Sequence, residues 1–187
     1  MFYSRRKFLS LTSIATFSAL NNTALASSST ALPIISRADL NRSLSLRNLH
    51  TGEKICVDYC ENGHYQFDAL TELNLFFRDH RSNSVTTMDP ALLDNIHALI
   101  KDVEYQGEIH IISAYRSPET NEKLLQQGRK VSKRSFHMTG QAIDLRLPGK
   151  ALKHVHAAAL LHHEGGVGYY PRSNFLHLDT GRKRRWG

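Results

Sequence analysis

The string Gln141-Ala-Ile-Asp-Leu-Arg-Leu147 constrains this chain more than any other feature. It reads as a strand, and it sets a carboxylate, Asp144, between two large aliphatic residues, Ile143 and Leu145. Such a strand is half or fully buried, and a lone buried carboxylate needs a cation or several hydrogen-bond donors. His137 lies on the loop that leads into the strand, with Gly140 between them letting the chain turn back. His177 lies in Phe175-Leu-His-Leu-Asp179, which reads as a later strand. Two imidazoles and one carboxylate with an open fourth position have the form of a catalytic rather than a structural zinc site. Zinc lowers the pKa of bound water toward about 7 and makes hydroxide available. The competing reading is an ordinary buried Asp hydrogen-bonded to backbone, with two unrelated histidines.

The chain has 187 residues, enough for one domain with a real core and too few for two large ones. Residues 1–26 are set aside from the fold. Arg5, Arg6 and Lys7 precede a run of apolar and small residues ending in Ala24-Leu-Ala26, with no acidic residue. This is a charged n-region, an h-region and a cleavage site. The run is too short and too polar to span a bilayer. Ser4-Arg-Arg-Lys-Phe-Leu9 resembles a twin-arginine export signal, so the expected location is the periplasm. Residues 27–43 read as a linker and 44–187 as the domain.

Without the leader the formal charge falls from +7 to +4, and four cations, Arg182, Lys183, Arg184 and Arg185, crowd the end of the sequence. The body is therefore near neutral, which argues against a nucleic-acid-binding face. The terminal cations read as a short solvated charge run. Cys56 and Cys60 sit in one strand, where four residues span roughly 13 Å against the roughly 7 Å a disulfide allows. Two free thiols are expected.

Leu44, Leu46 and Leu49, the turn at 50–53, and Ile55, Val57 and Tyr59 predict a β-hairpin that Asn62-Gly63 ends. Helical spacing of Phe67, Leu70, Leu73, Asn74 and Phe77 predicts a helix over 66–79. Asp89-Pro90 opens a second, with its apolar stripe running to about 104. A strand at 109–113, a helix from Ser117-Pro118 to about 127 and a basic loop at 128–136 precede the Asp144 strand. A helix over 151–163 and strands at 165–170 and 175–180 follow. Helices and antiparallel strands are segregated, so the predicted class is α+β, with helices packed on an antiparallel sheet in one compact domain. His154, His156, His162 and His163 share one predicted helix but lack a His-Glu-x-x-His pattern, and they read as ordinary helix residues.

Ser135-x-His137-x-x-Gly140-x-Ala142-x-Asp144 matches the signature S-x-H-x-x-G-x-A-x-D, and with it the chain resembles the LAS metallopeptidases, the D-Ala-D-Ala metallopeptidases and their relatives. Further strings carry the resemblance over nearly all of 44–187. They include Asn48-Leu-His-Thr-Gly-Glu53, Ser113-Ala-Tyr-Arg-Ser117, Gly165-Gly-Val-Gly-Tyr-Tyr170 and His177-Leu-Asp-Thr-Gly181. The resemblance implies a zinc ion on His137, Asp144 and His177. It places Arg116 near the scissile carbonyl, where it could stabilise an oxyanion; a structural ion pair is the other reading. Ser135 either bonds near the metal or caps the loop.

Two positions depart from the family pattern. Phe175 stands where many relatives carry the first His of a His-x-His. Asn174 stands where others carry an acidic base, and Asn takes no proton at neutral pH. Asp179, two residues past His177 and on the same strand face, is either the base or a carboxylate that orients His177 or a substrate amine. The implied function is a zinc-dependent peptidoglycan endopeptidase acting in cell-wall growth or remodelling. It would cut stem-peptide cross-links that involve meso-diaminopimelate, with Lys130, Lys133 and Arg134 aiding capture of the carboxylate-bearing substrate. A D,D-carboxypeptidase and a non-catalytic, zinc-containing cell-wall-binding module are the alternatives.

Overall fold

The computed structural model describes residues 40–187, so the expected export leader and most of the expected linker lie outside the described residues. Strands β1 (Arg42–Asn48) and β2 (Lys54–Glu61) form the expected hairpin, with Leu46 opposite Ile55 and Leu44 opposite Val57. Arg42 and Ser43, read as linker, already belong to β1. Asn62 and Gly63, both at positive φ, turn the chain into the short edge strand β3 (His64–Tyr65).

Helix α1 (Phe67–Phe76) buries Leu73 and Phe76, and Phe77 follows it into the core. Phe67, expected in that stripe, is instead 80% exposed, because the helix begins at it beside the edge of the sheet. Helix α2 (Pro90–Asp102) starts as predicted. The Asp89 side chain accepts from Ala91 N, Pro90 occupies the first turn, and Leu92, Leu93, Ile96 and Leu99 are buried. Strand β4 (Ile109–Ser113) leads to helix α3 (Pro118–Gln126), capped by Ser117. A 3-10 turn (Phe136–Thr139) enters β5 (Ala142–Arg146), and helix α4 (Leu152–His162) follows. Strands β6 (Gly166–Tyr170), β7 (Phe175–Asp179) and β8 (Arg184–Trp186) complete the domain.

The eight strands form one sheet in the order β3-β2-β1-β4-β5-β7-β6-β8. The α+β class and the single compact domain are as expected. The sheet is mixed, however, because β1 runs parallel to β4 and β6 parallel to β8. Parallel neighbours need a crossover; the stretch from β2 through α2 supplies the first, and β7 the second. Of the terminal cations expected to be solvated, Arg182, Lys183 and Arg185 are exposed, but Arg184 is half-buried and, with Trp186, lies in a strand paired to β6. Cys56 and Cys60 are free thiols on β2.

The period-2 alternation of strands divides the two faces. Ile143, Leu145, Leu176, Leu178 and Val167 join the core that includes residues of α1, α2 and α4. Asp144, His177 and Asp179 point the other way.

Candidate active site

The sheet register lines up one row of side chains across four strands. Asp144 on β5 pairs with His177 on β7, His177 with Gly168 on β6, and Gly168 with Trp186 on β8. Two residues along, a second row on the same face runs Ala142, Asp179, Gly166, Arg184. His137 joins the first row from the 3-10 turn. Ser135 caps that turn by accepting from His137 N, and this is the loop-capping one of its two open roles. Gly140 ends the turn at φ 70°, and an added Cβ there would lie 2.3 Å from the Thr87 carbonyl oxygen, so only glycine fits.

Three donor atoms converge. His137 Nε2 lies 3.3 Å from His177 Nδ1 and 3.4 Å from Asp144 Oδ1, and His177 Nδ1 lies 2.8 Å from Asp144 Oδ1. Tetrahedral ligands about 2.0–2.1 Å from a zinc ion stand about 3.3 Å apart, and two of these three edges match. The remaining ring nitrogens are engaged: His137 Nδ1 with the Ala114 carbonyl at 2.6 Å, His177 Nε2 with Asp179 Oδ2 at 3.0 Å. Each ring is thereby turned to present its other nitrogen to the shared point, as imidazole ligands of metals commonly are. Burial opposes ionisation of Asp144, but His137 and His177 hold its carboxyl well below the usual carboxylate range. Burial disfavours the charged form of His177, yet Asp144 and Asp179 on either side raise it to about 9. This donor set suits a divalent cation.

Asp179 is fully buried. Its Oδ2 accepts from Arg184 Nη2 (2.7 Å) and faces His177. Its Oδ1 accepts from Arg184 Nη1 (2.9 Å), Gly181 N (2.9 Å) and Gly166 N (3.2 Å). Burial would raise its pKa, but His177 and Arg184 keep it far below the ordinary value. Both oxygens are committed to the protein.

Arg116 is buried, with hydrogen bonds to neutral groups, Asn121 Oδ1 (3.3 Å) and Ser113 Oγ (3.5 Å), while its Nε has no partner. Its backbone is tied to the site by Arg116 N donating to the His137 carbonyl. Asp79 anchors the same loop by accepting from Ser117 N. A cleft of about 480 Å³ opens over the triad. Arg116, Lys130 and Arg134 line it, as do Tyr170, Phe175 and Trp186. Lys133, expected beside them, lies outside this lining, in a hollow with α3. Phe175, one of the two departures from the family pattern, stacks on Tyr170 with ring centroids 4.5 Å apart.

Sequence reasoning missed Asn121, Arg184, Trp186 and His163. His163 is buried and bonds the Asp179 carbonyl through Nε2 at 2.8 Å. The one available signal was Gly166-x-Gly168, two missing side chains on the face that carries the site.

Comparison with known proteins makes this chain a peptidase. The chain belongs to the family described as Peptidoglycan L,D-endopeptidase MepK, whose model matches residues 36–186. It is 42% identical over 184 residues to the peptidoglycan L,D-endopeptidase MepK of Escherichia coli (strain K12), covering 98% of this chain and 97% of that one. It is 39% identical over 185 residues to the probable peptidoglycan L,D-endopeptidase MepK of Haemophilus influenzae, covering 98% and 95%. No solved structure matches the chain significantly.

Proposed function

We propose that this protein is a zinc-dependent endopeptidase of the cell envelope that hydrolyses an amide between an L and a D centre in peptidoglycan cross-links, with diaminopimelate on the cut bond. The observation that carries it is the convergence of His137 Nε2, His177 Nδ1 and Asp144 Oδ1 at the floor of an open cleft. The names of the full-length relatives agree with it. A twin-arginine leader at 1–26 delivers the chain to the periplasm, and among the described residues no helix is long and apolar enough to cross a membrane.

His137, Asp144 and His177 would hold the zinc, which would supply Lewis acidity toward the scissile carbonyl and lower the pKa of water toward neutral. Arg116 contributes the second positive charge at the carbonyl oxygen; its side-chain hydrogen bonds go to neutral groups and its Nε is unpartnered, so the guanidinium lies in the field of Asp144 and Asp79 without pairing with either. Asp179 takes the orienting role toward His177, since neither of its oxygens is free for a substrate proton. Lys130 and Arg134 face the carboxylates of a diaminopimelate-containing strand, and the Tyr170–Phe175 stack walls the cleft.

Mass spectrometry of muropeptides released from purified sacculi tests this. The expected products are cut at an amide of diaminopimelate, vanish after chelation and return with added zinc. Undiminished release after complete chelation overturns the proposal. Free D-Ala as the sole product would mark a carboxypeptidase, and sacculus binding without release a binding module.

A further inference from the structure

Asp179 and Arg184 form a fork: both guanidinium nitrogens meet both carboxylate oxygens, at 2.9 and 2.7 Å. Such a two-pronged pair fixes the plane of the carboxylate as well as its charge. The side chain that makes it comes from β8, which is not adjacent to β7; β6 lies between them. Arg184 reaches over β6 because Gly166, the residue between it and Asp179 in the row, has no side chain. A Cβ added at Gly166 would lie 2.7 Å from Arg184 Nη1 and 2.8 Å from Asp179 Cγ. The first row repeats the arrangement. Trp186 leans over Gly168 to within 5.2 Å of the His177 ring centroid, and a Cβ at Gly168 would lie 2.6 Å from the indole. Trp186 is held there by donating its Nε1–H to Tyr170 Oη at 2.9 Å. The guanidinium of Arg184 sits over Phe136 and Trp186, 5.1 and 5.0 Å from the ring centroids, and cation–π attraction limits its rotation.

We propose that Arg184 is a positioning residue: acting through Asp179, it fixes the His177 ring so that Nδ1 faces His137 and Asp144, and strand β8 is thereby part of the site. This rests on the metal reading given above. The two nitrogens of a histidine are not equivalent, and the bond made by one decides what the other presents. Asp179 makes that bond, and Arg184 denies Asp179 the rotation that would break it.

The test is zinc affinity, measured by competition with a fluorescent chelator on metal-stripped protein, beside the thermal midpoint of the same preparation. Arg184→Gln is expected to bind zinc roughly 10–100-fold more weakly than wild type. Arg184→Lys, which keeps the charge but not the fork, is expected to fall between the two. Asp179→Asn and the double variant Asp179→Asn/Arg184→Gln are expected to show equal losses, because Arg184 acts through Asp179. Wild-type affinity in Arg184→Gln overturns the proposal, as do losses that simply add in the double variant. If Arg184→Gln fails to fold, unchanged affinity in folded Arg184→Lys overturns it instead. A wild-type protein that binds no zinc at all would sink the metal reading itself, a separate result.

Discussion

Arg116 brings a guanidinium into a buried position, where its side-chain hydrogen bonds go only to neutral groups, Asn121 and Ser113. A cation so placed gains most when a negative charge develops beside it. Arg116→Ala is therefore expected to lower kcat by about 10²–10³ while bound zinc per chain, read by elemental analysis, stays at the wild-type value. Asp144→Ala and His137→Ala, by contrast, should abolish both zinc and hydrolysis while the far-ultraviolet circular dichroism spectrum persists. Behind Arg116, Asp79 and His80 make the loop acid-sensitive. Burial would raise the Asp79 carboxyl, but bonds from Thr120, Arg81 and Ser117 lower it to about 2. Burial, then the nearby His50 and Arg81, lower His80 to about 4, against weaker support from Asp79. His80 stacks on His50 with centroids 3.9 Å apart. Both groups bind fewer protons folded than unfolded, so each stabilises at high pH. The His80 share is complete above about 6.5 and lost as pH falls toward 4; the Asp79 share is complete above about 4 and lost toward 2. Thermal midpoints across pH 7 to 3 should fall in two stages, with His80→Gln flattening the first and Asp79→Asn the second.

The elements that carry the site differ in how openly the sequence announces them. The turn holding His137 was legible in part, because Gly140 ends it in the left-handed region and the apolar alternation of β5 resumes at once, while only the structure settles Ser135 as its cap. Gly140→Ala should destabilise the protein by about 2 kcal/mol or more, from the backbone conformation and the Thr87 oxygen together; chemical denaturation reads it directly. Strand β8 was not legible. Arg-Lys-Arg-Arg carries the signature of a solvated charge run, and nothing within those residues says that Arg184 has a buried carboxylate waiting five residues upstream on another strand. Helix α1 shows a smaller failure of the same kind: Phe67 fits the helical spacing, but spacing alone does not locate the edge of a sheet.

For the molecule as a whole, an ion held by the proposed site would be linked to the fold. A ligand that binds only the folded state adds stability by mass action, about 2.7 kcal/mol at a hundredfold excess over Kd. Zinc should therefore raise the thermal midpoint of the metal-stripped wild type and leave that of His137→Ala unmoved. Residue periodicity and local chemistry were enough for the α+β class, the hairpin and the helix caps at Asp89 and Ser117. One carboxylate too costly to bury alone drew attention to Asp144, and the resemblance of its motif singled out His137 and His177 beside it. The tertiary structure decided the rest: that Asp179 is spent on His177 and Arg184, that Arg116 rests on Asn121, and that the last strand walls the cleft. Those outcomes depend on which strands become neighbours, and on space left empty at Gly166 and Gly168. A missing side chain records that something fits there without recording what.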